Sequence, residues 1–329
     1  MSSLDLADRP PAGEVIVTQR AMATRVTINV PASSRISGSP DGLEASIASA
    51  QEVFHQIDSD CTRFEQSSPL MLANRSPQQW HQVPHSLFWA IEEAKRAYDA
   101  TNGLFDPRVL RRLVELGYDR TLRFDLGDVR VDQVTRATGP PQLGPWRPRF
   151  RNGSGEVLIG EDPIDLGGIG KGLAVRWSSQ ILKRTASDFL VEAGGDCYCA
   201  GFSEDGRPWQ IGVEDPGGND EPICVLSVHD RAITTSSIRL RRWALHGQRV
   251  HHLIDPITGE PGGSGLVAVT VVGEDPARSE VWSKALFISG HAAIATLAEQ
   301  QSIPALWIDD HGTLANSSTM QKYVQWRRS

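Results

Sequence analysis

The chain has 329 residues, 40% hydrophobic and 22% charged, with a formal net charge of -7, the make-up of an ordinary soluble protein. That length supports one large domain or two lobes with cores of their own. The acidic balance argues against nucleic-acid binding, which calls for a basic face, and no apolar run of about 20 residues offers a membrane span.

Residues 1–14 are polar and acidic and include Pro10-Pro11. They lack the basic start and apolar core of a signal peptide. They read as a flexible leader on a cytoplasmic protein, ahead of a single unit over 15–329. The alternation in Arg25–Val30 predicts an opening strand. After a Ser/Pro/Gly loop, Asp41 is the expected N-cap of a helix carrying Leu43, Ile47, Val53, Phe54 and Ile57. Ser86 is the expected cap of a second helix, with Leu87, Ile91, Ala94 and Tyr98 on one side, ending near Gly103. Residues 136–155, rich in Pro, Gly and Arg, read as an excursion between halves. Residues 164–184 read as strand, glycine turn and helix. Strands follow at 189–193, 209–214, 223–228 and 267–272. One helix is expected from Pro276 to about Ile288 and another over 292–300, before a strand at 305–308. This interleaving predicts a mixed α/β, or α+β, fold.

The cysteines Cys61, Cys197, Cys199 and Cys224 form no zinc-type Cys-x-x-Cys pair. Cys197 and Cys199 would share one strand face, as core thiols do. Arg239, Arg241, Arg242 and Arg249 form a local basic cluster. It reads as a solvated strand face unless it borders a phosphate site.

The segment His252-Leu253-Ile254-Asp255-Pro256-Ile257-Thr258-Gly259-Glu260-Pro261 sets an imidazole close to a carboxylate and a hydroxyl. Histidine is the side chain suited to proton transfer near neutral pH. Two readings stand: a proton-transfer site, or a hairpin turn whose polar groups satisfy backbone donors. Asp165-Leu166-Gly167-Gly168-Ile169-Gly170-Lys171-Gly172 leads into a helix. Its glycines bring backbone close to a ligand, and the helix start and Lys171 add positive potential, which suits a pyrophosphate. It has neither the Walker nor the Rossmann spacing, and a tight strand-to-helix turn is the alternative. Gly194-Gly195-Asp196 fits a type I′ hairpin turn or a bare surface for a ring or ribose. In Gly103-Leu104-Phe105-Asp106-Pro107, Gly103 ends a helix, Phe105 could stack on a ring and Asp106 could bind a hydroxyl or amine. Asp-Pro is also a common turn start. Met22-Ala23-Thr24, Arg63-Phe64 and Asn74-Arg75 read on their own as core and loop.

Together and in this order, these segments resemble the ApbE family of FAD:protein FMN transferases. The likeness runs from about Met22 to Gly290. It rests on Met22-Ala23-Thr24, Thr62-Arg63-Phe64 with Asn74, Phe105-Asp106-Pro107, Asp165–Gly172, Gly194–Asp196, Thr235-Ser236-Ser237 and His252–Pro261. The last motif is complete, and the glycine motif differs only at Gly170.

The resemblance implies two lobes of β-sheet flanked by helices with FAD bound between them. It implies splitting of the FAD pyrophosphate, transfer of FMN to a Thr or Ser hydroxyl of an acceptor protein, and release of AMP. Hydrolysis of FAD to FMN and AMP, or FAD binding without turnover, are the alternative functions. His252 would be the base, with Asp255 and Thr258 shaping its loop. Met22, Phe64, Asn74, Leu104, Phe105 and Asp106 would line the FAD site. Asp165, Gly167, Lys171, Gly194, Gly195, Asp196 and Ile254 would complete it. Gly168 and Glu280 would be the metal positions for Mg²⁺.

The chain departs from the family in that metal helix. The family carries Asp and Thr four residues apart, and Glu280 and Lys284 stand there instead. A protonated lysine is no ligand. The site would therefore bind Mg²⁺ weakly through Glu280, or use Lys284 as its own cation, or lack turnover. Arg176, where an acid is common, would add positive potential near the glycine loop.

Overall fold

The computed structural model describes residues 13–37, 39–122, 124, 129–131 and 143–328. Nearly all of the expected leader, and residues 136–142 of the expected excursion, lie outside them. Val26, Ile28 and Val30 alternate with more exposed residues along Thr24–Val30, so one strand face is apolar. That strand pairs antiparallel with Val15–Ala21 through a two-residue turn at Met22 and Ala23. Both turn residues are left-handed, with φ of 53° and 57°, as a type I′ hairpin requires.

This hairpin forms one edge of an eight-stranded sheet. The order continues through Phe189–Ala193, Asp196–Ala200, Arg231–Ser237, Leu266–Gly273, Ala305–Asp309 and Leu314–Asn316. Every neighbouring pair is antiparallel. The helices are α1 (Pro40–Cys61), α2 (Pro69–Asn74), α3 (His85–Ala100), α4 (Leu110–Glu115), α5 (Gly170–Leu182), α6 (Pro276–Ile288) and α7 (His291–Gln300).

One sheet face buries Val26, Ile28 and Val191 against Phe54 and Ile57 of α1 and Leu173 of α5. Farther along, Val269 and Val271 meet Leu286 and Phe287 of α6 and Ile294 of α7. On the opposite face Cys197, Cys199 and Ile233 pack against a three-stranded sheet of Trp209–Val213, Cys224–Val228 and Val324–Arg327. The two cysteines share a face, as their spacing predicts, and all four thiols are buried and free. A smaller lobe joins α4 to a sheet of Val129–Val131, Arg242–Leu245 and Gln248–His251, around Leu113, Trp243, Leu245 and Val250. The arrangement is α+β, as expected.

Several boundaries differ from the sequence reading. Ser39, not Asp41, caps α1, accepting from the Gly42 amide at 3.3 Å. Pro40 fills the first turn, where a missing N–H is no loss. Ser86 lies inside α3, which starts at His85 after Pro84. Its hydroxyl donates to Asp60 at the end of α1. No strand forms at Ile164, because its backbone pairs with the Asn74 side chain instead. Within the expected excursion, Arg149–Arg151 pairs with Glu156–Leu158 as a short hairpin. Arg176 is drawn away from the glycine loop by ion pairs with Glu93 at 2.8 Å and Asp275 at 2.5 Å.

Gly172 sets how closely α5 and α6 approach. A Cβ there would lie 2.7 Å from both the Ala277 Cα and the Pro276 carbonyl oxygen. Both are backbone atoms, so relief requires moving a helix. Gly172→Ala is therefore expected to destabilise the fold by about 1–3 kcal/mol, read as a lowered urea midpoint. An unchanged midpoint would show that the helices separate freely.

Candidate active site

A cleft of about 890 Å³ opens where the C-terminal end of α1, the glycine loop, α6 and the smaller lobe meet. Met22, Phe64, Leu104, Phe105, Asp106 and Asp165 line it, as do Gly167, Gly168, Lys171, His252, Ile254 and Lys284. Segments far apart in sequence are thus gathered around one cavity. Its size falls within the range of small-molecule sites.

The walls are fixed by specific contacts. The Met22 amide donates to Asp58 Oδ2 at 2.7 Å, holding the hairpin turn at the cleft. Arg63 is buried, pairs with Asp165 at 3.3 Å and donates to the Tyr118 carbonyl at 2.5 Å. Its guanidinium carbon lies 4.2 Å from the Phe64 ring centroid and 4.3 Å from that of Tyr118. Asp165 also accepts from the Gly167 amide at 2.8 Å, so this carboxylate anchors the glycine loop from below. Gly168 is required by close approach, since a Cβ there would lie 2.9 Å from Phe105 Cε2. Asp106 is committed to Arg108, receiving its Nε at 3.0 Å and Nη2 at 2.6 Å. It is therefore spent on its neighbour rather than held ready for a ligand hydroxyl.

At the cleft floor Glu280 has no solvent exposure. Its Oε1 accepts from Lys284 Nζ at 2.9 Å and its Oε2 from the Gly172 amide at 2.7 Å. Lys171 Nζ stands 3.9 Å from Oε1 and also bonds Asp196. Burial opposes ionisation of Glu280, but Lys284, Lys171 and the amide outweigh it and hold the carboxyl below its ordinary range. Burial, reinforced by the positive charges of Lys284 and Arg241, lowers the Lys171 ammonium to about 8.

His252 Nδ1 lies 3.2 Å from the Arg241 carbonyl. A carbonyl only accepts, so Nδ1 carries the hydrogen and Nε2 keeps the lone pair. Burial and the adjacent Arg241 charge hold the ring well below its usual pKa. It is a neutral imidazole at physiological pH. Beyond it, Asp255 Oδ2 accepts from the Thr258 hydroxyl at 3.0 Å and Oδ1 from the Ile257 amide at 2.9 Å. Asp255 and Thr258 thus build the turn and do not line the cleft.

Five other residues singled out in the sequence also sit outside the lining, the buried Glu280 among them. Asn74 clamps the Ile164 backbone at 2.8 and 2.9 Å, setting the chain just before Asp165. Gly194 and Gly195, with φ of 61° and 90°, form a hairpin turn. Asp196 supports Lys171 and accepts from the Thr235 amide at 3.0 Å. Conversely, Arg63, Tyr118 and Arg241 line the cleft without having been read as site residues. Arg63 stood inside a motif, whereas Tyr118 carried no local signal at all.

Glu280 does not fit a divalent-cation site. Both of its oxygens are engaged, one by an ammonium. Among the described residues no three His, Cys, Asp or Glu side chains are arranged to hold a metal.

The sequence pattern of the ApbE family matches residues 22–307. The chain belongs to the ApbE family. A Vibrio cholerae FAD:protein FMN transferase is 31% identical over 264 residues, covering 77% of this chain and 73% of its own. A Salmonella typhimurium protein of that name is 24% identical over 270 residues, covering 78% and 75%. The match to a Klebsiella pneumoniae protein of that name, 26% identical over 167 residues, spans only 49% of this chain and 48% of that protein. Among solved structures, the ApbE protein of Thermotoga maritima superposes with a TM-score of 0.76 at 24% identity, covering 96% of this chain and all of that one. The flavin transferase ApbE of Vibrio cholerae superposes with a TM-score of 0.72 at 23% identity, over 95% of this chain.

Proposed function

We propose that this ApbE-family chain is a FAD:protein FMN transferase. In this reaction the hydroxyl oxygen of an acceptor Thr or Ser attacks the FMN-side phosphorus of FAD. The P–O bond to the AMP phosphate breaks, and AMP leaves with the bonding electrons. The observation that carries the reading is His252: a neutral imidazole with an unprotonated Nε2, in one cleft with Lys171, Lys284 and a glycine loop. The imidazole takes the proton of the attacking hydroxyl. The lysines and the start of α5 offset the diphosphate charge, which is the main demand of phosphoryl transfer. Phe64 and Phe105 offer apolar ring surface to the flavin half.

The Mg²⁺ expected from the family finds no fitting donor set at Glu280. Lys284 occupies that place and supplies a fixed positive charge beside Gly168. Among the described residues no helix is long and apolar enough to cross a membrane. The free buried thiols agree with a cytoplasmic setting.

Three outcomes follow. His252→Ala is expected to slow FMN transfer about 10²–10⁴-fold while FAD binding, followed by flavin fluorescence, is retained. Free FMN as the wild-type product, with none on protein, would reassign the chain as a FAD hydrolase. AMP release is expected to be the same in EDTA as with Mg²⁺, and Lys284→Ala to lower it about 10²-fold. A wild-type rate that needs Mg²⁺ would overturn the built-in cation. Finally, Lys171 is charged below about pH 8 and neutral above it. FAD affinity should therefore fall as pH rises through that value, and Lys171→Arg should flatten the profile. A wild-type affinity constant across that range would remove Lys171 from the diphosphate site.

A further inference from the structure

The basic cluster seen in the sequence divides in the fold. Arg239 is ion-paired with Glu214. Arg242 and Arg249 are exposed on their strands. Arg241 is half-buried and lines the cleft. It is the member of the cluster that borders the site, and the chemistry assigned to His252, Lys171 and Lys284 leaves it without a part.

Register sets Arg241 against the base. The strands Arg242–Leu245 and Gln248–His251 form an antiparallel hairpin in which Arg242 is paired with His251. One residue farther toward the open end, Arg241 stands opposite His252. Their contact agrees, since His252 Nδ1 lies 3.2 Å from the Arg241 carbonyl. Directly opposed residues share a face, with Cβ atoms about 4.5–5.5 Å apart. Alternation puts that face on the side of Trp243, Leu245 and Val250, which fill the lobe's core.

The base and the guanidinium therefore reach the cleft from one wall, the smaller lobe. Lys171 and Lys284 reach it from α5 and α6. Glu280 and Asp196 offset the lysines, and no ion pair joins either carboxylate to Arg241. After burial, the Arg241 charge is among those that lower the proton affinity of both His252 and Lys171. Like charges that face each other repel until an anion lies between them. In FMN transfer that anion is the FAD diphosphate.

The base decides which phosphate Arg241 serves. His252 takes the proton of an attacking hydroxyl when that oxygen lies within hydrogen-bond reach of Nε2, about 2.6–3.2 Å. The phosphorus under attack is one bond beyond. The FMN-side phosphate is therefore the one beside His252 and beside its cross-strand neighbour. A guanidinium suits that place, because its planar fork binds two phosphate oxygens at once, whereas an ammonium acts as a point charge.

We propose that Arg241 is a further catalytic residue, its guanidinium binding the non-bridging oxygens of the FMN-side phosphate while its carbonyl holds His252. As the hydroxyl oxygen bonds this phosphorus, its proton passes to Nε2. The P–O bond to the AMP phosphate breaks, and AMP leaves with the electron pair. Arg241 exchanges no atom; it offsets the charge on the two oxygens. The choice of phosphate rests on the transferase reading. The cation beside His252 rests on the register and the shared cleft.

The test uses the full chain with FMN, riboflavin and AMP as separate probes, the flavins followed by fluorescence and AMP by calorimetry. Riboflavin lacks the phosphate, and AMP carries the other one. Every Arg241 variant keeps the backbone carbonyl, so the hold on His252 survives. Arg241→Gln is expected to weaken FMN binding about 10–100-fold, with riboflavin and AMP affinities equal to wild type. Arg241→Lys should fall between the two, and AMP release from FAD should slow in the same order. Equal FMN affinity in wild type and Arg241→Gln would overturn the proposal. So would a loss of AMP affinity alone, which moves Arg241 to the leaving side, or a matching loss of riboflavin affinity, which makes its part purely structural. The expected FMN and riboflavin pattern in a wild-type protein that neither transfers FMN nor releases AMP would uphold the phosphate contact while removing the transferase reading.

Discussion

A carboxylate with no solvent exposure is stable only where its lone pairs are answered, because stripping its water costs several kcal/mol. Glu280 is answered by three groups from two helices: Lys284 one turn along α6, and Lys171 and the Gly172 amide at the start of α5. The rest of the cleft depends on this knot. It clamps α5 to α6 where Gly172 lets their backbones touch. It thereby fixes where the glycine loop emerges. It also sets the charge of the cleft floor, where two ammonium groups and one helix start face two buried carboxylates, Glu280 and Asp196.

The opposite wall is organised by a second buried pair. Arg63 and Asp165 do more together than either would alone. Asp165 turns the glycine loop through Gly167, and Arg63 ties that loop to the end of α1 and to the Tyr118 backbone. Breaking a buried pair costs about 3–5 kcal/mol through the uncompensated charge left behind, so this wall resists relaxation. Arg112 plays a parallel part farther out. It binds the Gly259 carbonyl at 2.5 Å and Glu260 at 2.6 Å, and so holds the hairpin that follows His252 against α4. Each of these two cleft-side elements is thus tied by an arginine to a helix of the surrounding frame.

How much of this was legible follows from the range of the interactions. Helices with strong apolar periodicity and strands with clear alternation were readable, because the pattern and the burial coincide in one local segment. Caps were misplaced by one or two residues: Ser39 and Asp41 are both good N-caps, and Pro40 decides between them by its fixed φ. The strand at Val15–Ala21 was passed over, since it lies on the sheet edge and is only half-buried. At the site, motifs placed most of the lining but not its division of labour. Asp106 looked available, yet its own neighbour Arg108 consumes it. Asn74 looked like a ligand contact, yet it clamps a backbone 90 residues away. Tyr118 was invisible because its role arises from packing across long sequence separation, and Arg241 was legible only as one member of a basic cluster. Lys284 was legible as a misfit in its helix. Its partner was legible too, since Glu and Lys four residues apart face each other.

The same positive field bears on His252 in two opposite ways. In the free cleft it adds to burial and keeps the imidazole neutral, which leaves Nε2 unprotonated and able to accept. It also makes the ring a weak base, because lowering a pKa lowers proton affinity by about 1.4 kcal/mol per unit. A bound diphosphate reverses the second effect. Its negative charges cancel those of Lys171, Lys284 and Arg241 at short range, where the low dielectric makes such terms large. The imidazole then gains proton affinity at the moment an acceptor hydroxyl has something to attack. On the transferase reading, Lys284 and Arg241 therefore bear on the base as well as on the phosphate. Burial is the larger cause of the unprotonated ring, they add to it while the cleft is empty, and an anion that offsets their charge leaves the imidazole a stronger base.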